Sequence, residues 1–180
     1  MSLDQILAFH CAPTLVGLKP ANLISHKPFE VVAATKKALE DNAIDMTLLW
    51  HCNCKDLTLV YHREKLWQHL HSPEIWGYLM VQGYPMYSAL ETIINHLKKR
   101  IIELKEFPHE VGLFLGYPLI DVLGFIKNNG QNCKLCGYWK VYGDEREAKC
   151  LFDSFSRARD EMCAKVNSGY SVAEILTVAS

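Results

Sequence analysis

The sequence predicts an α+β fold: a small, mostly antiparallel sheet of about four strands covered by several helices in a single domain. Three observations lead there. Short alternating or apolar runs fall at 14–18, 46–51, 57–62 and 137–142, each of strand length and bounded by turn-forming residues. Two long stretches, 85–105 and 144–166, carry apolar residues at helical spacing. The chain has 180 residues, 49% of them hydrophobic and 22% charged, enough for one substantial core. The stretch 64–105 reads as a helical annex to that core.

Taken in order, Ser2-Leu-Asp-Gln5 has the form of a capping box, and Leu3, Ile6 and Leu7 share one face of the helix it opens. Proline inside a helix removes a donor and clashes with the preceding turn, so Pro13 predicts an end near His10 or Cys11. Thr14 to Leu18 then reads as a buried strand with Gly17 as a bulge, and Lys19 to Leu23 as the loop that leaves it. A helix is expected over 29–42, with Phe29, Val32, Ala33 and Leu39 inward. The strands at 46–51 and 57–62 form a hairpin across Asn53-Cys-Lys-Asp56.

Residues 64–84 are helical with a break at Ser72-Pro73, where proline suits a first helical position. After Pro85, the residues Tyr87, Leu90, Ile94, Leu97, Ile101 and Leu104 recur at spacings of three and four, and Ile93 and Ile102 widen the stripe. Pro108 and Pro118 each open a short helix. Gly116 closes the first, and Asn128-Asn129-Gly130 ends the second in the left-handed conformation. Val111–Leu115 as a strand is the alternative. Leu119, Val122, Leu123 and Ile126 face inward, and Asp121 suits the positive end of the helix dipole. Residues 137–142 alternate and are aromatic-rich, which favours a strand. Asp144-Glu-Arg-Glu147 caps the last long helix, which Ser168-Gly169 ends, and 171–178 forms a short terminal helix.

Composition removes some function classes. A formal net charge of -1 argues against a protein built to clamp phosphate backbones. The helix–turn–helix at 108–129 offers Leu, Ile, Val, Gly and Phe where a DNA-reading helix needs exposed Arg, Asn or Gln, and Lys127, Asn128 and Asn129 crowd its end. No apolar run approaches the roughly 20 residues that cross a bilayer, and the G-x-x-x-G spacing of Gly112 and Gly116 serves close packing instead. The start, MSLDQILAFHCAPT, lacks the basic region of an export signal. Seven scattered cysteines without such a signal predict reduced thiols and a cytoplasmic protein. The partner expected is thus a small molecule, with no nucleic acid and no membrane.

The stretch 107–144 holds six of the ten glycines, two prolines, two cysteines, a His–Glu pair and an aromatic–basic run. Within it, FPHEVGLFLGYPLIDVLGFI and GYWKVYGD, together with HCAPTLVGLKPANL at 10–23, resemble a bacterial family known only as a domain of unknown function. The resemblance covers most of the chain. It implies a small cytosolic bacterial protein and a link between the 10–23 and 107–144 segments, and it carries over no catalytic residue.

Three sets of residues could carry chemistry. Cys52 and Cys54, with Cys133 and Cys136, place four thiols in two short pairs that could hold zinc or iron. One intervening residue makes the first pair tight for a single metal, and free cysteine also packs as a small hydrophobe. A redox pair at Cys133-x-x-Cys136 lacks the helix N-terminus that lowers a thiolate pKa. His10 beside Cys11 could activate a nucleophile, although adjacent side chains on a helix diverge. Finally, Lys19 and Asn22 leave a strand end, His109 and Glu110 open a helix, and Tyr117, Trp139, Lys140 and Tyr142 add aromatic and basic groups. A cleft between the 10–23 and 107–144 segments would suit a small anionic or planar ligand. Lys19 would meet its charge, the aromatic rings would stack, and His109 with Glu110 would serve acid–base chemistry if the protein is an enzyme. The alternatives are a metal- or redox-responsive protein using the cysteine pairs, and a protein-interaction module.

Overall fold

The computed structural model describes residues 1–52, 55–104 and 107–178. The fold is α+β, with helices, a three-stranded antiparallel sheet and a separate two-stranded one. The chain divides into two compact units, one of Met1–Leu66 with Ser154–Ser180 and the other of Trp67–Asp153. No helix among the described residues is long and apolar enough to cross a membrane.

In the first unit, α1 (Leu3–Leu15) opens with the expected capping box. The Gln5 N–H donates to the Ser2 hydroxyl and the Ser2 N–H to the Gln5 side chain. Pro13 does not end this helix, contrary to the expectation. It lies in the last turn, where one missing hydrogen bond is a small loss, and Cys11 through Leu15 are all buried. The chain reverses at Gly17, whose φ of 72° is left-handed, so this glycine ends a helix instead of bulging a strand. The carbonyl of Pro13 accepts from the N–H groups of Leu18 and Lys19 at 2.8 and 3.1 Å. The strand expected at 14–18 thus falls later, as β1 (Ala21–His26), where a loop was expected. Local propensity is weak there, and pairing with a neighbouring strand decides the conformation.

The expected hairpin is present as β2 (Ile44–Cys52) and β3 (Lys55–His62), with residues 53 and 54 of its connection outside the described residues. Strand order is β1-β3-β2, all antiparallel. A bulge between Leu48 and Trp50 leaves Leu49 fully buried and Leu48 and Trp50 partly exposed. The helix α2 (Ala33–Asp41) is shorter than expected and buries Thr35, Ala38 and Leu39. Val32 caps it from an exposed position and Ala33 is exposed, so neither faces inward. Phe29 precedes the helix and packs on the His26 ring. Leu7, Cys11 and Leu15 of α1 join Ile24, Leu39, Ile44 and Val60 in one core. Met162, near the end of α8 (Glu145–Asn167), and Val172, Ile175 and Leu176 of α9 (Val172–Val178) complete it.

The second unit contains α4 (Pro73–Val81), with proline at its start as expected, after α3 (Arg63–Leu70). It continues with α5 (Leu90–Glu103), which buries Ile93, Ile94, Leu97 and Ile101. Because α5 begins at Leu90, Tyr87 falls outside the stripe and is 85% exposed; Ile102 and Leu104 are exposed too. The helix–turn–helix follows as α6 (Val111–Phe114) and α7 (Leu119–Lys127), so the strand alternative at 111–115 is excluded. Val122 is buried, whereas Leu123 and Ile126 are exposed. Asn129 and Gly130 both have positive φ, the expected stop. The strand expected over 137–142 is instead a small hairpin, β4 (Leu135–Cys136) with β5 (Lys140–Val141), which joins no larger sheet. Gly137 and Tyr138 lie in its turn, so only its far end keeps ladder geometry.

A Cβ at Gly17 would sit in the left-handed region and 3.0 Å from Cε of Lys65. Replacement Gly17→Ala is expected to cost about 1–2 kcal/mol of stability. Urea unfolding of both proteins at equal slope checks this.

Candidate functional site

The centre of the 107–144 stretch is the carboxylate of Asp121, which is only 3% exposed. Helix α7 begins just after Pro118 and turns this side chain inward from its first turn. One oxygen accepts the indole N–H of Trp139 at 2.7 Å, and the other accepts the backbone N–H groups of Tyr142 and Gly143, each at 2.7 Å. A buried carboxylate is tolerable when its lone pairs are met by donors of this kind. The same three bonds fix Trp139, the end of β5 and the turn that leads to α8.

Trp139 is thereby held rigid. Its ring stacks on Tyr117 with centroids 5.0 Å apart and meets Phe152 edge-on at 4.5 Å. Gly124 makes room for this arrangement: a Cβ there would lie 2.4 Å from Cγ of Tyr142. Tyr142 is further tied by its hydroxyl, which donates to the Gln131 carbonyl at 2.9 Å.

These elements enclose a cavity of about 560 Å³, lined wholly by residues between 107 and 140. Phe107, Val111, Tyr117, Val122, Phe125 and Trp139 form apolar and aromatic walls, and His109, Asp121 and Lys140 add polar groups. The Lys140 ammonium donates to the Gly130 carbonyl at 2.7 Å and lies 5.8 Å above the Phe125 ring. His109 is exposed, with its ring 5.4 Å from that of Phe125. A second cavity of about 510 Å³ is lined by Tyr142, Lys134 and Asp144, and shares Asp121 and Trp139 with the first. Asp144 itself caps α8, accepting from the N–H groups of Arg146 and Glu147.

Four of the sequence-predicted residues, His109, Tyr117, Trp139 and Lys140, are thus brought together on one cavity, and Tyr142 on its neighbour. Glu110 is not beside His109 in function. Its buried carboxylate pairs with the Arg100 guanidinium and accepts from the Tyr84 hydroxyl. Burial, then Glu110, pushes the Tyr84 phenol strongly upward, so it remains a donor. The residues missed in the sequence are Asp121 as a hub and Phe107 and Phe125 as walls. The available signal was an acid placed among Leu119, Ile120, Val122 and Leu123, where a solvated carboxylate is unexpected.

The candidates of the 10–23 segment belong to the first unit. Lys19 is 4% exposed, and burial lowers its ammonium to about 8. Asn22 accepts from the buried Thr14 hydroxyl at 2.6 Å. Cys11 is fully buried, and burial pushes its thiol up to about 12 while nearby Lys19 pulls the other way. Such surroundings keep the thiol protonated and do not make the activated nucleophile expected of a His–Cys pair. His10 is exposed on the same helix, and burial of part of its ring lowers its pKa. Cys52 lies in the first unit, Cys133 and Cys136 in the second, and Cys54 lies outside the described residues. Among the described residues no group of three or more His, Cys, Asp or Glu is placed to hold a metal ion.

The chain belongs to the family described as Protein of unknown function (DUF3793), whose model matches residues 7–176. No curated protein and no solved structure matches it.

Two measurements check this geometry. Asp121→Asn keeps the shape but turns an amide toward N–H donors, and is expected to cost about 2–3 kcal/mol, read by urea unfolding with tryptophan emission as the signal. Iodoacetamide at pH 8 is expected to label the exposed Cys136 and Cys150 in the native protein and to spare Cys11 until urea is added. Labelling of native Cys11 at the rate of Cys150 would contradict the buried, protonated thiol.

Proposed function

We propose that this member of the DUF3793 family binds a small planar molecule bearing a negative charge in the cavity lined by residues 107–140. One observation carries the reading: rigid aromatic walls surround a space whose cationic group, Lys140, sits directly over one of them. A volume of about 560 Å³ suits a ligand of one to three rings. Planar rings gain from offset stacking on Trp139, Tyr117 or Phe125. The Lys140 ammonium donates one N–H to Gly130 and keeps two for an anionic group on the ligand. Trp139 is locked by Asp121 before any ligand arrives, which lowers the ordering cost of binding.

The reading is of binding rather than catalysis. Glu110 is committed to Arg100 and Tyr84, and the Asp121 oxygens to three N–H donors. Among the described residues, neither carboxylate is left to serve His109 in acid–base work.

The test is a thermal-shift panel of aromatic carboxylates, aryl phosphates and neutral ring analogues. Ligand present at about 100 times its Kd stabilises by about 2.7 kcal/mol, a clear rise in Tm. The expected result is that charged planar members bind, that Phe125→Ala removes the response, and that Lys140→Ala weakens charged members about tenfold while sparing neutral analogues. A response that survives both substitutions, or none across the panel, overturns the reading.

A further inference from the structure

The first unit contains a different cavity, of about 370 Å³, whose character is polar and cationic. We propose that it binds a doubly charged tetrahedral oxyanion, free or as the head of a small monoester, through His62, Lys65 and Lys165. This inference is independent of the cavity at 107–140.

The site is built from converging elements. His62 ends β3, with its backbone N–H fixed to the Pro20 carbonyl at 2.9 Å. Lys65 follows on α3, its side chain crossing the bare face of Gly17. Lys165 comes from the last turn of α8, and Glu161 lies one turn earlier on the same wall. Arg63 is not available to the cluster, because it pairs with Asp45 at 2.8 Å and donates to the Glu40 carbonyl. None of the ion pairs among the described residues involves Lys65 or Lys165. With Glu161 as the one lining acid, the cavity keeps a positive excess.

The second observation is an orphaned imidazole nitrogen. Nδ1 of His62 is buried and has no hydrogen-bond partner among the described residues. A buried polar atom of this kind normally finds one. His62 lines the cavity, so its protonated ring would donate to an oxyanion lying between the lysines. The electrostatics agree: burial lowers the His62 pKa first, and Lys65 lowers it next, so the ring sits in a positive field that an anion would cancel. Glu64 and the ring's own backbone carbonyl raise it and Arg63 lowers it, all by less. The charged groups to reckon with are therefore Arg63, Glu64, Lys65, Glu161 and Lys165.

The experiment is an NMR pH titration of the eight histidines in the whole protein, with sodium sulfate against sodium chloride at matched ionic strength. Sulfate keeps its charge through neutral pH, so the protein alone supplies the titration. Sulfate is expected to raise the His62 pKa by about half a unit or more and to leave that of the exposed His10 unmoved. Sulfate then binds more tightly at pH 5.5 than at pH 8, because the protonated ring adds a donor, with about threefold the ceiling that a half-unit shift allows. Lys65→Ala and Lys165→Ala each weaken sulfate about tenfold, and Glu161→Gln strengthens it. Both lysines are exposed, and circular dichroism confirms that the variants fold. Glycerol phosphate binding more tightly than sulfate at pH 7.5 identifies an organic head group, and equal binding identifies a free oxyanion. Equal movement of all histidines in sulfate and chloride, or sulfate binding untouched by both lysine substitutions, overturns the proposal.

Discussion

The second unit depends on one carboxylate. An ion the size of Asp121 loses several kcal/mol of hydration when buried unless donors replace the water. Here three N–H groups do so, from a tryptophan ring and two consecutive backbone amides. The indole belongs to the hairpin and the two amides to the turn after it, so one side chain on α7 fastens its helix to both. The aromatic cavity is a consequence: Trp139 and Tyr117 can form a wall because the indole has no freedom left to collapse into the space beside it.

The first unit solves a different problem. Its core is ordinary hydrocarbon from α1, the sheet and α9, yet Lys19 is buried along its edge. Burial disfavours the charged ammonium and the thiolate of Cys11 alike, which moves one pKa down and the other up. Either shift is the mark of a dry environment, not of a reactive one. The few polar residues of the 10–23 segment, Lys19 and Asn22 among them, therefore read differently once burial is known.

Much of the architecture was legible in the residues. The hairpin of β2 and β3, the proline-started α4, the α6–α7 pair with its glycine and asparagine stops, and the long α8 all follow from periodicity and capping, which act within a few residues. Two segments were read wrongly for one reason. At Pro13 and at Ala21–His26, burial and strand pairing outweigh local preference. The aromatic run at 137–142 likewise has strand chemistry, but its turn leaves just two residues of β5 in the ladder.

The amino-acid sequence by itself determined the α+β class, the placement of most helices, and the concentration of glycine and aromatic residues in the 107–144 stretch, because these rest on spacing and composition along the chain. Tertiary structure alone decided which polar groups are committed and which are exposed. Glu110 and His109 are neighbours in sequence, yet one is buried against Arg100 and the other is exposed at the mouth of a cavity. Asp121 reads locally as a dipole partner and proves to be the hub of its unit. The physical reason is that desolvation and hydrogen-bond satisfaction depend on atoms brought close from distant positions, and no window of sequence contains them.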